Sequence, residues 1–267
     1  PRVTATEVDG GLKISGRWAF GTGCTAATYV GGMIKLPDET KDNDVRRVVA
    51  LVPSQDATID YTWDPVGLAG TGSHDIVFED LFVPWKQIFD WPDCKPNYPY
   101  PTAILVPGKW FASISAAATH LGLARRAIDQ ARAELGGKQD RGTGRSLLGK
   151  AENLIPLEQA EGLHYACAAG FEKALQEVWQ CGLEGRPLPQ ELRLAIILAA
   201  TTAVHQCEAI VRSVYDIAGA SAIRKSGPLQ RLYRDASCLT HHGATSLETF
   251  KLAGRVRCGI DPLSIAI

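Results

Sequence analysis

The sequence has little of what several protein classes require. Its 28 basic and 29 acidic residues give a formal net charge of −1, so no strong field attracts nucleic acid or an anionic membrane. No segment approaches the run of about 20 apolar residues that spans a bilayer. The first residues, Pro1–Thr6, have no signal-peptide pattern. We therefore expect neither a nucleic-acid partner nor a membrane partner.

The cysteines and histidines lack the spacing of a metal site. The seven cysteines are an odd number without any CxxC pair, which favours neither a disulfide framework nor a zinc site. His241 and His242 are neighbours that would point about 100° apart on a helix, so they cannot easily chelate one ion. The sequence also lacks GxxxxGK[ST], GxSxG and a GxGxxG that opens a βαβ unit. We expect no metal and a cytoplasmic location.

The first part of the chain has the pattern of strands and turns. An Asp9-Gly10-Gly11 turn precedes alternating apolar residues, and two further strand-like runs are Arg47–Pro53 and Asp75–Pro84. The polar run Pro37–Asp44 is typical of a solvated hairpin loop. These features predict a small antiparallel β-domain over residues 1–100, which ends in a proline-rich connector.

From about Pro107 the apolar residues follow helical periods. In the first predicted helix, apolar residues recur every seven positions beside a groove of alanines at 117, 124 and 131. A second helix ends near Gly182, and a third begins near Pro189 and is apolar on nearly all sides from Leu192 to Val204. The fold class is therefore α+β, with a β-domain followed by a four-helix bundle over residues 101–267. The alanine groove and the apolar third helix predict a homotetramer, because one subunit is not expected to cover them.

Three segments resemble landmarks of the acyl-CoA dehydrogenase superfamily, in particular its two-component flavin monooxygenases. They are Gly16–Cys24 (GRWAFGTGC), Val66–Pro84 (VGLAGTGSHDIVFEDLFVP) and Leu232–His242 (LYRDASCLTHH), and they occur in the family order along nearly the whole chain. The resemblance implies an N-terminal helical domain, a β-domain and a tetramerising C-terminal bundle. Only the last two are present, and the sequence lacks an initiator Met, so we expect it to be part of a longer protein.

The resemblance also separates two chemistries. A dehydrogenase of this superfamily needs a carboxylate base beside the flavin, and aligning its motif on Tyr233-Arg234-Asp235 puts Gly243 at that position. Some relatives carry the base on the first bundle helix instead, but residues 101–128 contain neither Asp nor Glu. A monooxygenase instead needs a group that tunes protonation while water is excluded, and an imidazole suits this role. By resemblance, His242 is the candidate catalytic residue.

The remaining site residues follow from the same resemblance. Phe20 and Thr22 fall where relatives place an aromatic and a threonine against the flavin; packing on the ring system and a hydrogen bond to its N5 edge are expected. Thr71 and Ser73 lie in a glycine-rich turn that borders the flavin or the substrate. On the bundle we expect His120 to lie opposite the core stripe and face the pocket. Trp110 and His241 complete the candidate substrate pocket.

The sequence therefore predicts a reduced-flavin-dependent monooxygenase. It takes reduced FMN or FAD from a separate flavin reductase and uses O₂ to oxygenate a small organic molecule, with aromatic compounds among the candidates. One alternative is an acyl-CoA dehydrogenase or oxidase with a relocated base. A second alternative is a non-catalytic structural homologue that binds no flavin.

Overall fold

A computed structural model describes residues 3–37, 45–91 and 108–260, without the side chains of residues 108–110. The chain divides into two compact units, Pro1–Asn97 and Tyr98–Ile267. Each unit has its own buried core.

The first unit contains two antiparallel sheets. One has the strand order β1-β2-β6-β5 and the other has the order β3-β4-β7. Alternating residues of both sheets, among them Leu12, Ile14 and Phe78, are fully or almost fully buried and form one core. The strands are β1 (Thr4–Val8), β2 (Gly11–Gly21), β3 (Tyr29–Pro37), β4 (Val45–Pro53), β5 (Thr58–Asp60), β6 (His74–Pro84) and β7 (Ile88–Asp90).

The predicted hairpin at Asp9-Gly10-Gly11 is confirmed. Val8 pairs with Gly11, and Gly10 has a φ of +81°, a left-handed conformation that favours glycine. The runs predicted as strands before Pro53 and before Pro84 are confirmed as β4 and β6. Most of the loop predicted from Pro37 to Asp44 lies outside the described residues.

The second unit is helical, as predicted. Its helices are α1 (Gly108–Gly136), α2 (Ala151–Leu183), α3 (Gln190–Ala218), α4 (Leu229–Leu239) and α5 (Glu248–Arg257). The predicted end of the second helix and start of the third are confirmed to within a few residues. As expected, α3 lies centrally and packs against the other four helices.

The alanine groove of α1 does not leave apolar surface for a second subunit. Ala117, Ala124 and Ala131 are fully buried within one chain, where they share cores with α3 residues such as Val204 and Ile210. The expectation that one subunit does not cover the alanine groove was therefore wrong, because α3 of the same chain fills the groove. Large apolar side chains are instead exposed on α2, for example Ile155, Tyr165 and Trp179.

The segment Gln190–Ser221, which contains α3, is long and apolar enough to cross a membrane by length and composition. This was not evident from counting unbroken apolar residues. However, 56% of its most apolar window is buried inside the protein. The central helix of a bundle meets the same criteria, since it must be apolar on most sides.

Candidate functional site

The end of β2 presents an aromatic side chain through a β-bulge. Trp18 pairs with Ile76 and Gly21 pairs with His74, so two residues of β2 oppose one residue of β6. Phe20 takes the left-handed conformation in this bulge, with a φ of 64°, and its side chain is 74% exposed. Such a backbone costs about 1–3 kcal/mol in a residue with a side chain and is common at functional sites.

A second aromatic side chain lies beside Phe20. The rings of Phe20 and Trp63 meet edge to face with centroids 6.1 Å apart. The Trp63 backbone N–H donates to His74 Nδ1, and its indole N–H donates to the Leu68 carbonyl oxygen. These bonds fix the ring against a cavity of about 320 Å³, whose lining residues are Ala19, Phe20, Thr62, Trp63, Asp64, Pro65, Ser73 and Asp75.

Three hydroxyl groups form a chain at the same site. Ser73 Oγ lies 2.9 Å from Thr22 Oγ1 and 2.8 Å from Thr71 Oγ1. The chain ends where Thr71 Oγ1 donates to the Leu68 carbonyl oxygen over 2.9 Å. Two bonds tie the loops together, because Gly23 N–H donates to the Thr71 carbonyl and Cys24 Sγ to the Gly72 carbonyl. The structure thus brings Thr22, Thr71 and Ser73 together with Phe20 nearby.

Two acidic side chains, Asp64 and Asp75, line the cavity, and the charge of Asp75 is already paired. Asp75 accepts hydrogen bonds from Arg17 at 2.8 Å and from Thr62 at 3.0 Å. The Arg17 guanidinium also contacts Asp60. The bond from Arg17 lowers the pKa of Asp75 below its ordinary value. Asp75 is therefore a poor proton acceptor at neutral pH.

In the helical unit, His242 begins a short turn. It is the N-cap of the 3-10 helix Gly243–Thr245, and its Nδ1 accepts the backbone N–H of Ala244 at 3.2 Å. Its side chain is exposed. Because Nδ1 accepts this bond, the neutral ring carries its proton on Nε2. His242 can therefore offer an N–H donor from an exposed position.

Two neighbouring helices hold this turn. Ser113 Oγ on α1 donates to the Ala244 carbonyl at 2.6 Å, and His205 Nε2 on α3 lies 3.0 Å from the Thr245 carbonyl. Thr245 is fully buried. The sequence offered no sign of Ser113 or His205, because their partners lie far along the chain. The two contacts set the position of the backbone next to His242.

The sequence predicted that His120 lies opposite the core stripe of α1, and this prediction is wrong. It is fully buried, and its ring nitrogens lie 3.1 Å from the carbonyl oxygens of Ala116 and Ala236. Burial lowers the pKa of His120. Both ring nitrogens face backbone acceptors, so His120 joins α1 to α4 and has no nitrogen left for a substrate.

The other two candidates for the substrate pocket are less constrained. His241 is exposed beside His242, and its backbone N–H donates to the Cys238 carbonyl. Trp110 lies in the first turn of α1, and its side chain is outside the described residues. The contact of Trp110 and His241 with the substrate stays a prediction.

The residues of the β-unit fit the flavin that the resemblance implies. An exposed ring, an open cavity and a cluster of hydroxyls suit a planar heteroaromatic molecule with hydrogen-bonding edges. Within the described residues no group of three or more His, Cys, Asp or Glu side chains can hold a metal ion. Sequence reasoning missed Trp63, Thr62 and Asp75, although the aromatic and polar run Tyr61–Asp64 precedes the glycine-rich motif and was a usable signal.

The chain is similar to known proteins along nearly its whole length. The model of the family described as acyl-CoA dehydrogenase, C-terminal domain, matches residues 114–247. The chain is 32% identical over 263 residues to an indole-3-acetate monooxygenase from Pseudomonas putida, which covers 98% of this chain and 67% of the relative. It is 28% identical to an FADH(2)-dependent resorcinol hydroxylase, oxygenase component, from Rhizobium sp., over 98% of this chain and 68% of the relative.

Two solved structures have a similar fold. XiaF from Streptomyces sp., in complex with FADH2 and glycerol, matches with a TM-score of 0.89 and 21% identity over 100% of this chain and 69% of that chain. The 3-HSA hydroxylase from Rhodococcus sp. RHA1 matches with a TM-score of 0.87 and 25% identity over the same shares of the two chains.

Proposed function

The chain belongs to the acyl-CoA dehydrogenase superfamily, among its flavin-dependent monooxygenases, and from this premise we propose that it is the oxygenase of a two-component system. A separate reductase supplies the reduced flavin, and a small aromatic molecule is hydroxylated with O₂. The unit within residues 1–100 contributes the flavin and substrate side. The bundle within residues 101–267 contributes His242 and the subunit contacts.

One observation carries the choice of oxygenation over dehydrogenation. Gly243 stands where the dehydrogenase motif carries its base, and the residue before it is an exposed histidine with a fixed ring. Among the described residues of α1, the first acid is Asp129. In the β-unit, Asp64 and Asp75 line the cavity, away from both expected positions, and the bond from Arg17 makes Asp75 a weak base. A carboxylate suited to remove a proton α to a thioester is therefore missing from the expected positions.

When bound, the reduced flavin would supply two of the four electrons that reduce O₂ and the substrate the other two, so that one oxygen atom enters the substrate and the other leaves as water. Phe20 and Trp63 offer apolar ring surface that packs on a planar group and displaces water from the cavity. Thr22 offers a hydroxyl beside this surface, and Ser73 and Thr71 hold that hydroxyl in place.

His242 serves as the proton donor in this proposal. Its Nδ1 is occupied by the Ala244 N–H, so its Nε2 holds a proton that can be donated to a developing negative charge on oxygen. Ser113 and His205 act through the backbone of the turn and are positioning residues.

The substrate class follows from the relatives. Those described above include enzymes named for indole-3-acetate and for resorcinol, which are small aromatic molecules. We extend this class to the present protein, together with reduced FAD or FMN, a cytoplasmic location and a partner reductase. Indole-3-acetate is the first substrate to test, because the relative named for it is 32% identical.

We also propose a homotetramer, because α2 has large apolar side chains that are exposed. Ile155, Tyr165 and Trp179 are 59%, 77% and 49% exposed. Apolar surface of this kind is typical of subunit contacts. Light scattering at micromolar concentration gives the mass of the assembly, and a monodisperse monomer contradicts this part of the proposal.

The test of the function uses isotopic oxygen. The purified protein is mixed with a flavin reductase, NADH, FAD or FMN, and a panel of phenols and indoles under ¹⁸O₂. We expect a product that carries one ¹⁸O atom and depends on both proteins. Consumption of O₂ to hydrogen peroxide alone with every substrate contradicts the proposal. Flavin reduction by an acyl-CoA supports the dehydrogenase instead, and failure to bind any flavin supports the non-catalytic homologue.

A further inference from the structure

The hydroxyl chain of Thr22, Ser73 and Thr71 has a direction. A carbonyl oxygen only accepts hydrogen bonds, so the contact of 2.9 Å between Thr71 and the Leu68 carbonyl uses the hydroxyl proton of Thr71. Each hydroxyl has one proton. Ser73 must therefore donate to Thr71, and Thr22 must donate to Ser73.

The opposite direction is unfavourable. If Thr71 donated to Ser73, the hydroxyl oxygen of Thr71 and the carbonyl oxygen of Leu68 would face each other at 2.9 Å without a proton between them. Ser73 is only 5% exposed, so its hydroxyl cannot readily turn to water. The Leu68 carbonyl is also held by the backbone N–H of Thr71 and by the Trp63 indole N–H, each at 3.1 Å. The end of the chain is thus fixed by the loop.

The direction decides what Thr22 offers to a bound molecule. Thr22 is exposed, and its proton is committed to Ser73, so its oxygen presents only lone pairs outward. N5 of reduced flavin carries a hydrogen, whereas N5 of oxidised flavin carries a lone pair. An outward lone pair therefore attracts the first form and repels the second.

We propose that the chain from Thr22 to Leu68 selects reduced flavin over oxidised flavin by making Thr22 a hydrogen-bond acceptor. This rests on the proposed function, since it places the N5 edge of the flavin at Thr22. Thr22 is then a specificity-determining residue, and Ser73 and Thr71 act through it. The selection suits an oxygenase that receives reduced flavin from a reductase and must release the oxidised form.

The experiment measures the dissociation constants of FAD and of anaerobically reduced FAD for the purified protein. The quantity of interest is the ratio of the two constants. In the wild type we expect reduced FAD to bind at least tenfold more tightly, on the scale of one hydrogen bond gained or lost. The same ratio raises the two-electron midpoint potential of the bound flavin by about 30 mV for each factor of ten, which spectroelectrochemistry measures independently.

Three variants separate direction from simple contact. Thr71→Val removes the acceptor of Ser73 but leaves Thr22 in place, so the chain can reverse and Thr22 can donate outward. We expect FAD to bind more tightly, reduced FAD more weakly, and the ratio to fall roughly tenfold. Thr71→Ser keeps the direction and the wild-type ratio, which controls for damage to the loop. Thr22→Val removes the hydroxyl, so it should weaken the binding of reduced FAD and relieve the repulsion of FAD.

Each outcome has a distinct meaning. An unchanged ratio in folded Thr71→Val overturns the inference, and so does a wild-type protein that binds both forms equally. If either result is found but the protein still forms ¹⁸O-labelled product, the proposed function stands and only the inference about Thr22 fails. If neither form of FAD nor of FMN binds, the proposed function itself fails. Circular dichroism and urea unfolding of every variant identify loss of folding.

Discussion

His205 holds the backbone of Thr245 with a hydrogen bond of 3.0 Å, so α3 fixes the far end of the turn that His242 begins. The near end is fixed from α1, where Ser113 donates to the Ala244 carbonyl. His242 itself is exposed and contributes little burial. We therefore expect stability and chemistry at this turn to depend on different histidines, which mutation can separate.

Replacing His205 should loosen the turn. In His205→Leu the carbonyl of the buried Thr245 loses its donor, which costs about 1–3 kcal/mol of unfolding free energy. Urea denaturation measures the loss. His205→Gln keeps an N–H donor on a side chain of similar reach and should recover part of it. Equal destabilisation by Leu and Gln would mean that packing, and not the hydrogen bond, is what His205 contributes.

Replacing His242 should affect chemistry and spare the fold. His242→Ala is expected to reduce product formation by about 10²-fold or more, the scale of losing a general acid, while reduced flavin still binds. His242→Asn is the sharper variant, because its side-chain oxygen can still accept the Ala244 N–H and cap the turn. His241→Ala is the matched control. Normal turnover in both His242 variants would refute the assignment of this residue.

Two substitutions of Phe20 should weaken flavin binding equally but differ in stability. Phe20→Ala and Phe20→Gly both remove the exposed ring and should weaken flavin binding equally. The two differ in the backbone, because only glycine adopts a φ of 64° without strain. We expect the Gly variant to be more stable than the Ala variant by about 1 kcal/mol in urea denaturation. Unimpaired flavin binding by both variants would remove Phe20 from the site.

Glu161 should make stability depend on acid pH. Its carboxylate accepts hydrogen bonds from Arg125 and Arg132, and the bond from Arg125 is the main cause that lowers its pKa from 4.5 to about 2. The folded pKa lies below the unfolded one, so the stabilisation is complete above pH 4.5 and is lost as pH falls towards 2. Glu161→Gln should therefore be less stable than the wild type at pH 7 and equal to it near pH 2. Glu177→Gln, which removes an exposed carboxylate from the same helix, is the matched control.

The sequence predicted the elements of the fold well because their signals are local. The spacing of Ile128 and Leu135 identified the buried face of α1, and the Gly10 turn identified the first hairpin. The same periodicity could not place His120. It lies three residues after Ala117, on the buried side, where its ring reaches a carbonyl of α4 that is 116 residues away.

The candidate site was predictable only where a motif carried it. Phe20, Thr22, Thr71 and Ser73 came from resemblance, and the structure brings them together in the β-unit. The bond from Ser113 to Ala244 joins residues 131 positions apart, and no local pattern encodes it. The direction of the hydroxyl chain depends on the Leu68 carbonyl, which is a backbone atom and leaves no trace in residue type.

At the bulge formed by Ala19 and Phe20, selection for stability and selection for activity should act in opposite directions. Deleting one of these residues would remove this bulge between β2 and β6 and, with it, the strained backbone of Phe20. A library of single deletions sorted for thermal tolerance should therefore enrich that deletion. The same library sorted for growth on an aromatic substrate should lose it. The extra residue would therefore be unfavourable in the screen for thermal tolerance and required in the screen for growth.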